Sequence, residues 1–177
     1  LGRKSYWSHC STHMKKVCLF GIYDKAYSRT RILKRALEEN GCEVVECNVD
    51  PRIYYGFRKF PALYKEFNKI KGETFDHVFV CFPGHSVVLL ARMLFGKEII
   101  FDAFVSLYDS NVNDRKKYAK YSLRALYSWF LDWSSMHLAG KVLVDTHEHG
   151  RYFRKAFYVN PNKMIRFLVS SDDSLFY

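Results

Sequence analysis

Nothing in this chain of 177 residues reads as a membrane span, a secretion signal or a disulfide framework. No apolar stretch reaches the roughly 18 uninterrupted residues that cross a bilayer as a helix, and no signal-peptide core precedes a cleavage site. Cysteine is scarce and odd in number, five in all, without a CxxC pair. Cys18 and Cys81 sit inside apolar runs, and Cys42 and Cys47 bracket a predicted strand. That usage suits reduced thiols buried as small hydrophobes in a cytoplasmic protein and argues against a zinc site. Acidic residues are also few, 18 against 28 Lys and Arg, so the formal net charge is +10. Long-range attraction to an anionic partner follows, whether nucleic acid, anionic lipid or a phosphorylated substrate.

What is present is the composition of a folded domain: 49% hydrophobic and 26% charged residues, with aromatics high at 18%. The length suits one domain. Leu1–His13 carries no apolar periodicity and begins without methionine, with His13 followed at once by Met14, so it reads as an added leader with the natural start at Met14, and residues 14–177 as the domain. Lys16 to Ile22 is an apolar run. A helical pattern follows through Ile32, Leu33, Ala36 and Leu37, with Ser28 as its expected N-cap and Gly41 as its C-cap. Glu43 to Asn48 reads as a strand. His77 to Phe82 is the next, followed by a turn at Pro83 to Ser86 and a helix over Val87 to Phe95. Strands at Lys97 to Phe101, Lys141 to Val144 and Met164 to Val169, with a helix at His147 to Phe157, complete the alternation. Continuous apolar strands are the mark of a sheet buried on both faces, so the predicted fold is α/β, a doubly wound, mainly parallel sheet with helices on both faces.

Four segments in this order, GIYDKAYSRTRILKRALEENGCEVVEC, FPGHSVVLLARMLFGKEIIFDAFVSLYD, LAGKVLVDTHEHGRYF and LVSSDDSLFY, resemble the N-terminal, acceptor-side Rossmann-like domain of family 4 glycosyltransferases of the GT-B fold. The resemblance runs from Lys15 to Tyr177. It implies a retaining transferase that moves a sugar from a nucleotide-diphosphate donor to an acceptor without a required metal. The family binds its donor mainly through a C-terminal domain with a Glu-x7-Glu motif, and the pair at that spacing here, Glu38 and Glu46, falls in the first predicted helix and the strand after it, so it is not that motif. The expectation is an acceptor-binding half, inactive alone, that binds no cofactor by itself and needs a donor-binding partner domain. Ser171 to Tyr177 resembles the exit from the first domain.

In parallel sheets ligands bind beyond the carboxyl ends of the strands, which selects four loops. The first contains Gly21, Tyr23, Ser28 and Arg29, where the family has its glycine-containing loop. One glycine does not make a phosphate cradle, so both the dinucleotide and the Walker readings are rejected. Acceptor contact and a plain tyrosine-rich connection both remain open. The second, Pro83, Gly84 and His85, puts an imidazole at a helix start, either to meet a sugar hydroxyl or phosphate or to cap the helix. In the third, Asp102 stands where many family members place a histidine beside the transferred sugar, with Ser106, Tyr108 and Asp109 following. A carboxylate there could stabilise charge at the anomeric carbon, making Asp102 the catalytic candidate, or it could hold the adjacent loop. The fourth holds Asp145 and Thr146, cleft-lining candidates by resemblance. His147 and His149 lack the i, i+4 spacing of a metal pair, and Thr146 reads as an N-cap, so no metal site is expected.

Two stretches interleave cations with aromatics, Tyr54 to Lys71 with Arg58 and Lys59, and Arg115 to Tyr121 with Lys116, Lys117 and Lys120. The second leads into Leu126, Trp129, Phe130 and Trp133, which have helical spacing. Such stretches suit an anionic membrane surface, in keeping with a lipid-linked acceptor and a peripheral cytoplasmic location. Equally, the apolar side chains could pack on the sheet and leave the lysines as a solvated face. RNA binding by a non-enzymatic α/β domain is the alternative, with no nucleic-acid motif to support it. A small nucleotide-binding oxidoreductase is disfavoured by the missing fingerprint.

Overall fold

The continuous apolar runs become the six strands of one sheet in the computed structural model, which describes residues 14–168. The strands are β1 (Lys16–Ile22), β2 (Glu43–Val49), β3 (His77–Val80), β4 (Ile99–Asp102), β5 (Lys141–Val144) and β6 (Met164–Arg166). They lie in the order β2-β1-β3-β4-β5-β6, and every neighbouring pair is parallel. Between them run α1 (Ser28–Glu39), α2 (Lys59–Lys69), α3 (Val88–Phe95), α4 (Leu123–Leu138) and α5 (His147–Phe157). The doubly wound α/β sheet is thus present. The predicted leader Leu1–His13, Val169 of the last expected strand, and Ser171 to Tyr177 lie outside the described residues.

Side chains alternate across the sheet, and each face has its own core. Cys18, Phe20, Val80, Phe101 and Val142 point to one face, where Leu63 of α2, Ala91 of α3, Met136 of α4 and Phe153 and Phe157 of α5 meet them. Val17, Leu19, Phe79 and Leu143 point to the other, where α1 supplies Leu33 and Leu37. Helices therefore cover the faces four to one among the described residues. Full burial of each such side chain contributes about 1.5–3 kcal/mol. Burial also pushes the Cys18 thiol up and raises that of Cys47 to about 12, so neither is a ready thiolate.

Helix α1 ends as expected: Gly41 has φ +76, and the amides of Gly41 and Cys42 return to the carbonyls of Glu38 and Leu37. Its start differs. Asp24 folds the preceding loop by accepting the Ala26 amide at 2.9 Å, so Tyr27 takes the N-cap position without a side-chain cap and Ser28 becomes the first helical residue. Gly84 is fixed by crowding, since a Cβ there would lie 2.6 Å from the Cys81 carbonyl oxygen and 2.7 Å from Val80 Cγ1. Because one obstacle is backbone, Gly84→Ala is expected to lower stability by about 2 kcal/mol in urea unfolding; an unchanged midpoint would show the turn to be pliable.

Helix α4 corrects an expectation about its buried face. Of Leu126, Trp129, Phe130 and Trp133, only the two tryptophans reach the core, half-buried and stacked 10° from parallel, with Trp129 Nε1 donating to the Ala156 carbonyl at 3.2 Å. Leu126 and Phe130 are 61% and 51% exposed. The residues turned inward are Ala125, Ser128, Asp132, Ser135 and Met136. Small side chains let this helix approach closely, and Asp132 finds backbone amides there; the larger apolar set has no comparable partner.

Candidate functional site at the carboxyl edge

Because all the strands run the same way, the turns after β1, β3, β4, β5 and β6 leave one edge of the sheet. The chain passes from β1 outward to β2 and then back across to β3, so a crevice opens between the turns after β1 and β3. Arg29, in the first turn of α1, ties this edge together. Its Nε donates to both oxygens of Asp102 at 2.9 and 2.8 Å, and its Nη2 donates to Oδ1 at 2.6 Å. Phe104 and Phe167 lie against the guanidinium, 4.4 and 5.2 Å from ring centre to Cζ, and Nη1 reaches the Phe167 carbonyl at 3.5 Å. One cation thereby links the segments that follow β1, β4 and β6.

Both partners are buried, Arg29 at 2% and Asp102 at 1% exposure. Burial raises the Asp102 carboxyl above its ordinary value, and the Arg29 bonds and charge, with smaller help from His85 and the Phe82 amide, oppose the rise. The carboxylate faces Arg29 instead of the crevice. In this arrangement Asp102 is the counter-charge of a clamp, so the loop-holding reading describes its placement better than the catalytic one.

His85 lies in the short 3-10 turn His85–Val87 before α3, and its side chain caps no helix. It is buried between Phe101, Phe82 and Asp132, its ring centre 5.0 Å from that of Phe101. Nε2 is 3.2 Å from Asp132 Oδ1 but at an angle too poor for a hydrogen bond, and neither ring nitrogen makes one. Asp132 is better served. It accepts Ser106 Oγ at 2.7 Å and the amides of Leu107 and Tyr108 at 3.0 and 2.8 Å, capping from outside the wide helical turn Asp109–Asp114. Ser106 Oγ in turn accepts the Asp109 amide at 3.0 Å. Asp132→Ala strands two amides and a hydroxyl, so a loss of about 3 kcal/mol is expected in urea unfolding; a loss below about 1 kcal/mol would mean water replaces the carboxylate.

The remaining expected residues divide between surface and interior. Gly21 and Tyr23 are buried, the tyrosine in the α1-side core with its hydroxyl 3.4 Å from the Leu19 carbonyl, so Tyr23 does not line the crevice. Ser28, Pro83 and Thr146 are exposed, and Tyr108, Asp109 and Asp145 half-buried. Thr146 caps α5 as expected, accepting the His149 amide at 3.1 Å, and Asp145 pairs with His149 Nδ1 at 2.5 Å. Two groups were not singled out from sequence. Asp132 is one, although an aspartate inside the run Trp129 to Trp133 is itself a signal of a buried acceptor. The other is an aromatic rim. Tyr27 meets Phe82 at 5.9 Å between ring centres, and Phe82 meets Phe104 edge-on at 5.4 Å, at the switch point of the sheet.

Away from the crevice, Arg58, Lys116, Lys117 and Lys120 are exposed, whereas Lys59 is half-buried, bonds Ser86 Oγ at 2.9 Å, and has its pKa lowered by burial. Lys59 therefore does not share the outward role expected for the other four. Lys117, Lys120 and Arg124 lie over tyrosine rings at 5.5–5.8 Å. Among the described residues no helix is long and apolar enough to cross a membrane, and no three His, Cys, Asp or Glu side chains are placed to share a metal ion. No family model matches the chain, and no curated protein matches it.

Proposed function

We propose that this domain is the acceptor-side wall of a retaining, nucleotide-sugar-dependent glycosyltransferase, completed by a donor-binding domain and without turnover on its own. The reading rests on the resemblance to family 4 described above, and the observation that carries it is the aromatic rim of Tyr27, Phe82 and Phe104 at the switch point. Aromatic faces carry negative potential and attract the polarised C–H groups of a sugar ring, while the hydroxyls stay free for nearby polar groups. Saturation-transfer NMR with alkyl glycosides, nucleotide sugars and free nucleotides tests it. The expected result is contact with glycosides that is lost in Tyr27→Ala, an exposed position, and no comparable contact with free nucleotides. Silence from every glycoside, with tight and steeply salt-dependent binding of single-stranded RNA or binding of a reduced nicotinamide, would replace this reading.

The same reading places one flank against an anionic membrane carrying a lipid-linked acceptor, on the cytoplasmic side. Its support is α4, whose outward face carries Leu123, Leu126, Tyr127 and Phe130 beside Tyr121 and the cations Lys116, Lys117, Lys120 and Arg124. Apolar side chains bordered by lysines and tyrosines match the boundary between acyl chains and headgroups.

A further inference from the structure

A second concave site lies further along the same edge, between α5 and the edge strand β6, and takes in Thr146, one of the expected cleft-lining residues. Two sequence periods build it. His147, Gly150, Arg151 and Arg154 follow the i, i+3, i+4, i+7 spacing that puts them on one flank of α5, while Phe153 and Phe157 of the same helix enter the core. Met164 and Arg166 are two apart on β6 and share a face of the strand. The sheet stops at β6 among the described residues, so nothing described there covers this flank. The result is a groove of about 320 Å³ with Arg151, Arg154 and Arg166 on its walls and Val144, Met164 and Pro161 forming an apolar floor. Gly150 lines the groove beside Met164 and Val144, where an added Cβ would make ordinary van der Waals contact at 3.4 and 3.9 Å.

Among the described residues the charges are largely uncompensated. Arg151 pairs with Glu148 at 2.7 Å in a solvent-exposed contact, and Asp145 is paired with His149. No ion pair among the described residues engages Arg154 or Arg166. Guanidinium groups present paired donors that fit phosphate oxygens two at a time. The volume is at the lower end of small-molecule sites, room for one phosphate and a ring-sized organic part.

We propose that this groove binds a phosphomonoester, its phosphate held by Arg154, Arg166 and Arg151 and its organic group resting on Met164 and Pro161. This goes beyond the sugar-transfer reading, and its readout is anion binding alone, so its failure would leave glycoside contact at the crevice untouched.

The test is a titration of the 177-residue chain with inorganic phosphate and with phenyl phosphate, followed by amide NMR. Saturable shifts are expected at Gly150 to Arg154 and Met164 to Arg166, with phenyl phosphate the tighter ligand and phenol inert. Arg154→Gln with Arg166→Gln should weaken both phosphates by about tenfold or more. Both side chains are exposed, so the fold should persist, as circular dichroism would verify. Lys65→Gln with Lys97→Gln, two exposed cations elsewhere, should change neither affinity. Non-saturating shifts, an unweakened double-arginine variant, or equal weakening by the control pair would each overturn the proposal, the last by reducing it to net charge.

Discussion

Arg29→Met alone is expected to lower unfolding free energy by about 3–5 kcal/mol, because it leaves the Asp102 carboxylate buried without its counter-charge. Asp102→Asn alone should cost a similar amount for the mirror reason, a guanidinium at 2% exposure with no carboxylate to receive its three bonds. The double variant is the informative one. With both charges gone, neither is stranded, and the side-chain amide introduced at position 102 can still accept from the Phe82 backbone. Its loss should fall short of the summed single losses by at least about 2 kcal/mol. Urea midpoints with an unchanged slope measure this directly. Additivity within about 0.5 kcal/mol would mean that the two side chains act independently and that Arg29 is held chiefly by Phe104 and Phe167. A clamp of this strength has a consequence for function. It fixes the turns after β1 and β4 relative to each other, and so fixes the spacing of Tyr27 and Phe104, the rim on which the proposed function rests.

Much of the framework was legible because buried parallel strands announce themselves. KVCLFGI and KVLV have no polar face to present, and the structure gives both the predicted limits, Lys16–Ile22 and Lys141–Val144. Thr146 was legible as a cap because its chemistry is local, a hydroxyl three residues before the amide it accepts. What escaped is what depends on distant partners. The helical spacing of Leu126, Trp129, Phe130 and Trp133 was correct, but spacing alone does not say which flank meets the sheet. The answer came from Asp132, whose hydrogen-bond donors lie 24 to 26 residues earlier in the chain, in the turn after β4. The same holds for Asp102: its position at a strand end was readable, but its engagement by Arg29, 73 residues away, was not. Edge effects escaped as well, since the arginine groove exists only because β6 has no further neighbour among the described residues.

If α4 lies on a membrane, two kinds of substitution should separate cleanly in vesicle sedimentation. Lys116→Gln, Lys117→Gln and Lys120→Gln together remove about 1 kcal/mol of surface attraction each, so partition onto phosphatidylglycerol vesicles should fall by about 100-fold. The same variant should bind phosphatidylcholine vesicles as the parent does, and raised salt should mimic it on the anionic ones. Leu126→Ser with Phe130→Ser removes the inserted apolar surface instead, and should weaken binding to both kinds of vesicle. Neither set disturbs the fold on this account, because α4 buries Ala125, Ser128, Asp132, Ser135 and Met136 and leaves these side chains outside. Parent protein that stays in the supernatant with anionic vesicles would remove the membrane from the reading. Loss of single-stranded RNA binding in the lysine variant, with vesicle binding absent throughout, would give the same cations to nucleic acid. The exposed ridge would then need another partner, because contiguous apolar side chains at the end of a basic segment are costly to leave in water and nucleic acid does not cover them.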